Sequence, residues 1–308
     1  MTLDASHLKG MFPALPTPFR ADANVDEPRL EQLVEHLIAS GARGLVPVGG
    51  TGEYTAMSPE ARARAVAATV RAAHGRIPVI AGVLSPGYAE ALAAGKSFMA
   101  AGADGLLLIT PFYARPTAQT LRAYFRHYAH DSQAPLLLYD IGARTGVNIT
   151  PELVAELVDD GSIIGMKACN TDLTHFERVV SLVGGRIGLL SGDDYLHPIH
   201  AALGGHGGIL ASSVLLPKYW KSISDLSERG DFAGAQSARS RILPLLDVLF
   251  AQTNPGPLKA AMRLNGMEFG DAILPLAPPE ESLVARLEAV MQALAGQGVE
   301  DLAGMRRA

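Results

Sequence analysis

The sequence has a single cysteine, Cys169, among its 308 residues. No disulfide can therefore form within the chain, which fits a reducing compartment such as the cytoplasm. Long apolar runs are also missing, and none approaches the roughly 18–20 continuous residues of a membrane span. The first ten residues, MTLDASHLKG, lack the charged and then apolar pattern of a secretory signal. We therefore expect a cytoplasmic protein with no membrane partner.

Clusters of like charge are absent too. Lys and Arg are scattered along a chain whose formal net charge is −5, so nucleic acid is not an expected partner. The chain is 48% hydrophobic and 19% charged, which is ordinary for a globular protein with a sizeable core. Composition thus favours a soluble globular protein.

What the sequence does contain is a regular series of short apolar runs. Each run is apolar on both faces and bounded by Gly, Pro or Asp, as in a parallel strand covered on both sides. Amphipathic stretches separate them, such as residues 58–75 and 150–161. Strict alternation of strand and helix predicts a (β/α)₈ TIM barrel, with an open doubly wound sheet as the alternative. The runs are GMFPAL (10–15), GLVPVG (44–49), PVIAGV (78–83), GLLLIT (105–110), PLLLYD (135–140), IIGMKA (163–168), IGLLSG (187–192) and GGILAS (207–212).

The C-terminal part of the chain departs from this alternation. Helical patterns there are broken at Gly230, at NPGP (254–257) and at LPLAPP (274–279). We expect a barrel over residues 1–229 and a C-terminal helical extension over residues 230–308 that packs on it.

Polar motifs follow several of the predicted strands, at the end where barrel enzymes carry their active sites. They are GGTGE (49–53), TPFYARP (110–116), DIGARTG (140–146), Lys167 and SGDD (191–194). A lysine at the end of an apolar strand either reaches solvent or serves as a nucleophile. As a nucleophile it must be neutral, which requires its pKa to fall by roughly three units, or about 4 kcal/mol, within reach of partial burial.

Two neighbouring motifs favour the nucleophile. Tyr139 ends the preceding strand and could act as general acid and base, although a core aromatic would occupy the same position. The glycines of GGTGE expose backbone N–H groups that suit a carboxylate or phosphate, and Thr51 adds a hydroxyl. For Glu53 we expect a structural, capping role.

These motifs, in this order and followed by GGHGGI (204–209), resemble the dihydrodipicolinate synthase / N-acetylneuraminate lyase family between about residues 11 and 265. The resemblance implies a (β/α)₈ barrel, usually a homotetramer built as a dimer of dimers. It also implies a lyase or synthase that forms a Schiff base between a lysine and pyruvate or another 2-keto acid. No external cofactor and no metal are expected.

The resemblance also assigns roles to individual residues. Lys167 would form the imine and Tyr139 would shuttle protons. The turn at Gly50 and Thr51 would bind the pyruvate carboxylate, and Ile209 would place its carbonyl near the imine.

Two further positions bear on the second substrate. Tyr113 matches a tyrosine that reaches into a neighbouring subunit's site. Arg144 matches the arginine that meets the second substrate's carboxylate in the synthases. Asp193 is a candidate for binding substrate hydroxyls, and capping of the following helix is its alternative role.

The sequence also departs from the family pattern. Gly50 replaces a threonine whose hydroxyl relays protons, and Asp140 replaces the usual asparagine. Tyr54, Pro86 and Phe112 occupy positions of the regulatory lysine site, so we expect no feedback inhibition by lysine.

Several activities and two other classes of function stay open. A 4-hydroxy-tetrahydrodipicolinate synthase is the first expectation, followed by a 2-keto-3-deoxy sugar acid aldolase or dehydratase and an N-acetylneuraminate lyase. His197 and His200, near Asp193 and Asp194, make a metal-dependent enzyme geometrically conceivable. A keto-acid-binding homologue without catalysis is the remaining alternative.

Overall fold

The computed structural model describes residues 3–307 of the chain, and its centre is a parallel sheet. Seven strands are hydrogen-bonded in the order β1-β7-β6-β5-β4-β3-β2. All are short and buried, as the continuous apolar runs predict. Their bounds are β1 Gly10–Pro13, β2 Ile80–Val83, β3 Gly105–Ile109, β4 Leu136–Asp140, β5 Gly165–Ala168, β6 Gly188–Ser191 and β7 Gly207–Leu210.

A short segment between β1 and β2 closes the sheet into a barrel. Its parallel bridges join Val46 to Ala14 and Leu45 to Val79. The predicted strand at 44–49 is therefore present but reduced to two bridging residues. It ends early because Pro47 has no N–H to donate and Val48 has the left-handed backbone angle φ = 49°. The prediction of an eight-stranded (β/α)₈ barrel is confirmed.

Helices surround the barrel, and their ends follow the predicted capping chemistry. The predicted helix at 150–161 spans Pro151–Asp159, and its N-cap Thr150 accepts a hydrogen bond from the Leu153 N–H at 3.2 Å. The helices are α1 Glu27–Ala39, α2 Pro59–Ala73, α3 Tyr88–Ala100, α4 Ala118–Ser132, α5 Gly142–Thr145, α6 Pro151–Asp159, α7 Leu173–Val183, α8 His197–Ala202, α9 Pro217–Glu228, α10 Phe232–Arg241, α11 Leu243–Leu249, α12 Gly256–Leu264 and α13 Glu281–Gly296.

Helices α10 to α13 form the C-terminal extension, in which α11 and α12 both pack on α13. The extension also contacts the barrel. The Phe19 N–H donates a hydrogen bond to the Phe269 carbonyl at 3.0 Å. The division at residues 229 and 230 stays a prediction. Within residues 3–307, no helix has the length and apolar character needed to cross a membrane.

Candidate active site

A cavity of about 280 Å³ opens at the C-terminal ends of the barrel strands. It collects side chains from strands and loops that are far apart in sequence, as expected for this end of a barrel. Tyr113 and Asp193 are not among its lining residues. The predicted site residues that do line it are Gly50, Thr51, Tyr139, Arg144, Lys167 and Ile209.

Lys167 and Tyr139 meet inside this cavity. They are register partners on the neighbouring strands β5 and β4, so their side chains project from the same face of the sheet. The Lys167 Nζ lies 3.4 Å from the Tyr139 Oη and 4.4 Å from the centre of its ring. The two residues are only 8% and 5% exposed. The amine and phenol are thus within proton-transfer reach in a largely dry environment.

The charge on Lys167 depends on its neighbours. Burial lowers the pKa of the Lys167 ammonium, but negative charge on the Tyr139 phenol or the Cys169 thiol raises it by more, so the pKa lies above its ordinary value when these groups are ionised. Burial raises the pKa of Tyr139 and raises that of Cys169 to about 12, so both keep their protons near pH 7. With those two groups neutral, burial favours the uncharged amine, and the nearby Asp194 carboxyl opposes it by raising the Lys167 pKa. The lowered pKa predicted for Lys167 therefore requires Tyr139 and Cys169 to be protonated.

The GGTGE turn forms another part of the cavity wall. A Cβ placed on Gly52 would lie 2.7 Å from the Val48 nitrogen, so only glycine fits there. At Gly50 the same added Cβ would meet no heavy atom within 4 Å. Glycine is therefore required at position 52 by packing, whereas Gly50 leaves open space beside the cavity.

Glu53 ends this turn in a buried ion pair that the sequence analysis did not anticipate. Its Oε1 lies 2.6 Å from the Nζ of Lys259 on α12, and its Oε2 accepts from the Ile273 N–H at 2.8 Å. The side chains are 0% and 1% exposed. The expected structural role of Glu53 is thus a tie to the C-terminal extension, and no helix-capping hydrogen bond is made by its side chain.

The extension contributes directly to the cavity wall, which the sequence analysis also missed. Phe250, Asn254 and Leu276 line the cavity. The Asn254 Nδ2 donates to the Thr51 Oγ1 at 2.9 Å. The only signal in the sequence was the NPGP break at 254–257, which indicates a turn and gives no partner.

The two acidic residues after β6, Asp193 and Asp194, accept hydrogen bonds from different segments of the backbone. The Asp193 Oδ1 accepts from the N–H groups of Tyr195 and Leu196 at 2.8 and 3.2 Å, in the turn before α8, and the N-cap of α8 itself, Leu196, has no side-chain capping bond. Asp194 lines the cavity, but its Oδ1 accepts from the Ser212 N–H at 2.8 Å and its Oδ2 from the Ala211 N–H at 3.3 Å. Both carboxylates therefore accept hydrogen bonds from backbone N–H groups.

Tyr113 and Arg144 lie farther out. Tyr113 is 98% exposed and has φ = 72°, a left-handed conformation that is rare for a bulky residue. Arg144 sits on the short helix α5 and extends the cavity wall outward. Within one chain, Arg144 is placed to meet a ligand in the cavity and Tyr113 is not.

A buried carboxyl lies directly behind the cavity. Asp140 is 1% exposed and follows Tyr139 on β4, so its side chain projects to the opposite face of the sheet. Neither of its side-chain oxygens has a hydrogen-bond partner within residues 3–307, and the His175 Nε2 is 3.7 Å away. Burial raises the pKa of Asp140 to about 7.

The histidines of the HPIH motif are packed in the protein interior. The His200 ring stacks on Phe176 with 4.1 Å between centres, and His197 meets Trp220 edge to face. Burial lowers the pKa of both to about 4. In the described part of the chain, no three His, Cys, Asp or Glu side chains are grouped so as to hold a metal ion. These contacts favour the packing role over the metal-dependent alternative.

The sequence is similar to those of known proteins over most of its length. The profile of the Dihydrodipicolinate synthetase family matches residues 7–294. The chain belongs to this family. A 4-hydroxy-tetrahydrodipicolinate synthase from Syntrophus aciditrophicus is 38% identical over 284 residues, which cover 92% of this chain and 97% of the relative. One from Methanothrix thermoacetophila is 36% identical over 284 residues, covering 92% and 96%.

Solved structures of the family share the fold. The dihydrodipicolinate synthase from Thermotoga maritima superposes with a TM-score of 0.90 at 30% identity, covering 93% of this chain and 98% of that one. The one from Aquifex aeolicus gives the same TM-score, identity and coverage. A dihydrodipicolinate synthase variant described as monomeric also matches, with a TM-score of 0.90 at 30% identity over 93% of this chain and 97% of that one. Family membership therefore leaves the number of subunits open.

Proposed function

We propose that this protein condenses pyruvate with an aldehyde through an imine on Lys167, or catalyses the reverse cleavage. The observation that carries the proposal is the contact between the Lys167 Nζ and the Tyr139 Oη, 3.4 Å apart in a buried cavity. An amine and a proton carrier at that distance suit imine formation, in which protons must move at each stage.

The steps use groups of this chain only. The neutral Lys167 amine attacks the pyruvate carbonyl carbon, and the carbinolamine loses water as Tyr139 supplies a proton to the departing hydroxyl. The Tyr139 phenolate then takes a proton from the pyruvate methyl group to give an enamine. The enamine carbon attacks the aldehyde carbon, and the alkoxide formed takes that proton from Tyr139. Water finally hydrolyses the iminium, the released proton returns to the Tyr139 phenolate, and Lys167 is freed as the neutral amine. In these steps the covalent imine on Lys167 activates pyruvate, and no external cofactor takes part.

The carboxylates of the two substrates would be held at opposite ends of the cavity. The N–H groups of the GGTGE turn and the Thr51 hydroxyl suit the pyruvate carboxylate, and Arg144 suits an acid on the aldehyde. Ile209 would offer its backbone carbonyl close to the imine. Asp193 already accepts two backbone hydrogen bonds before α8 and does not line the cavity, so a contact with substrate hydroxyls would require its side chain to turn.

Assembly and location belong to the same proposal. Tyr113 is exposed, which suits a residue that reaches the site of another subunit in a homotetramer. A cytoplasmic location fits the single cysteine.

Among specific activities, 4-hydroxy-tetrahydrodipicolinate synthase comes first because relatives at 34% to 38% identity carry that name and Arg144 lines the cavity. Cleavage or dehydration of a 2-keto-3-deoxy sugar acid is the second candidate, favoured by the missing hydroxyl at Gly50. A panel of aldehydes and 2-keto acids, assayed with wild type beside Lys167→Ala, tests the proposal. We expect turnover by wild type and loss of at least about a thousandfold in the variant. Equal activity in both proteins would contradict the mechanism.

A further inference from the structure

The hydrogen bond between Asn254 and Thr51 fixes the direction in which the Thr51 hydroxyl can donate. A hydroxyl has one hydrogen and two acceptor lone pairs. The Asn254 Nδ2 donates to the Thr51 Oγ1 at 2.9 Å and so occupies one lone pair. Among the described residues, no acceptor takes the Thr51 hydrogen. That hydrogen therefore remains available to a ligand in the cavity, which Thr51 and Asn254 both line.

Further contacts hold the two segments that carry Asn254 and Thr51. Asn254 lies two residues before α12, and Lys259 on α12 pairs with Glu53, two residues after Thr51. The Thr17 Oγ1 further holds the Gly52 carbonyl at 2.8 Å. The turn that carries Thr51 and the segment that carries Asn254 are thus joined by a buried ion pair as well as by this hydrogen bond.

We propose that Asn254 is a positioning residue that aims the Thr51 hydroxyl at the carboxylate of bound pyruvate. The inference rests on the proposed function, because it takes pyruvate as the ligand. A carboxylate accepts a hydrogen bond and donates none, so it needs the free hydrogen that Asn254 preserves. The C-terminal extension is then a part of the substrate site, through a residue that contacts Thr51.

Borohydride trapping of pyruvate on Lys167 tests this without knowledge of the aldehyde. Mass spectrometry gives the fraction trapped at each pyruvate concentration, and hence the half-saturating concentration and the maximum. We expect Thr51→Val to raise the half-saturating concentration about tenfold, the loss of one hydrogen bond to a charged group. Asn254→Ala should raise it severalfold, with the same maximum. The double variant should match Thr51→Val alone, because Asn254 acts through that hydroxyl. Additive effects, or an unchanged value in Asn254→Ala, overturn the proposal.

The isosteric variant Asn254→Asp gives a readout that a structural role would not produce. An ionised Asp accepts from the Thr51 hydroxyl and removes its hydrogen from the ligand, so the half-saturating concentration should rise about tenfold or more at pH 8. A protonated Asp can donate as the amide does, so the ratio to wild type should fall steadily as the pH is lowered to about 4, near the ordinary pKa of Asp. A ratio that does not change with pH overturns the proposal.

Two controls separate the possible outcomes. Gln252→Glu adds the same charge to the same loop, where its side chain can still accept from the Glu280 N–H, and should leave the half-saturating concentration near the wild-type value. An equal rise in this control overturns the proposal. If Asn254→Ala does not fold, Asn254→Asp supplies the test. Absence of any pyruvate adduct on wild-type Lys167 refutes the proposed function and this inference together, whereas trapping with unchanged half-saturation in the variants refutes this inference alone.

Discussion

Replacement of Asp140 by asparagine should change how the stability of the protein depends on pH. Burial raises the pKa of this carboxyl to about 7 from its ordinary value of 3.8. The native state therefore holds a proton on Asp140 between about pH 4 and pH 7, where the unfolded chain has released it. Stability from this group is fully present below about pH 4 and is lost as the pH rises to about 7. A shift of about three units corresponds to about 4 kcal/mol.

Asparagine has the same shape and cannot ionise, so Asp140→Asn removes the loss of stability that occurs as the pH rises from about 4 to about 7. The difference in unfolding free energy, variant minus wild type, should increase by up to about 4 kcal/mol between pH 4 and pH 8. Burial lowers the pKa of the neighbouring His175, so that residue destabilises the fold as the pH falls below 6.5. The Asp172 and Glu152 carboxylates raise this pKa, and the Arg178 guanidinium lowers it further. The His175 Nε2 lies 3.7 Å from the Asp140 carboxylate, so a His175→Gln background is needed to separate the titration of His175 from that of Asp140.

Urea unfolding followed by circular dichroism at pH 5, 6, 7 and 8 measures this difference. His175→Gln is the matched comparison: since burial alone raises the pKa of Asp140, the effect of Asp140→Asn should persist in that background. A difference that stays constant from pH 5 to pH 8 would refute the assignment of a buried, protonated Asp140.

Three other predictions follow from the packing around the site. Lys259→Met should lower the unfolding free energy by about 3–5 kcal/mol, because it leaves the Glu53 carboxylate buried without its partner, and adding Glu53→Gln should recover part of that loss in thermal denaturation. Gly50→Thr should change stability by no more than about 0.5 kcal/mol, because the added side chain enters open space. It should also raise the turnover of pyruvate by supplying the hydroxyl that the family's proton relay uses. Millimolar L-lysine should leave turnover unchanged, because the buried Tyr54, with the Arg62 guanidinium 4.0 Å from its ring centre, occupies a position of the family's regulatory site.

Each of these has a clear contrary outcome. A Lys259→Met protein as stable as wild type would show that the ion pair contributes little. Failure of Gly50→Thr to fold would show that the turn has less room than its geometry indicates. Inhibition by L-lysine would reveal a regulatory site despite Tyr54.

The barrel and the contact between Lys167 and Tyr139 were predictable because they follow from local patterns. Apolar runs bounded by Gly, Pro or Asp gave the strands, and the ends of neighbouring parallel strands necessarily meet, which brought Tyr139 to Lys167. The reduced strand at 44–49 was not foreseen, because its apolar letters hide the left-handed backbone of Val48.

The contributions of the C-terminal extension could not be predicted in the same way. Asn254 contacts Thr51 across 203 positions of sequence, and Lys259 reaches Glu53 from a different helix. No periodicity or spacing links such residues, since their partners are set by how the extension packs on the barrel. The burial of ionisable residues such as Lys259 and Asp140 cannot be predicted from the sequence pattern and is recognised only when their surroundings are known.

The most direct test of the account is borohydride reduction of the protein in the presence of pyruvate, followed by peptide mapping. We predict one reduced pyruvyl group per chain, on the peptide that contains Lys167, and none in Lys167→Arg. An adduct on another lysine, or trapping that persists in Lys167→Arg, would contradict the central claim. So would turnover of pyruvate and an aldehyde by a protein that gives no adduct.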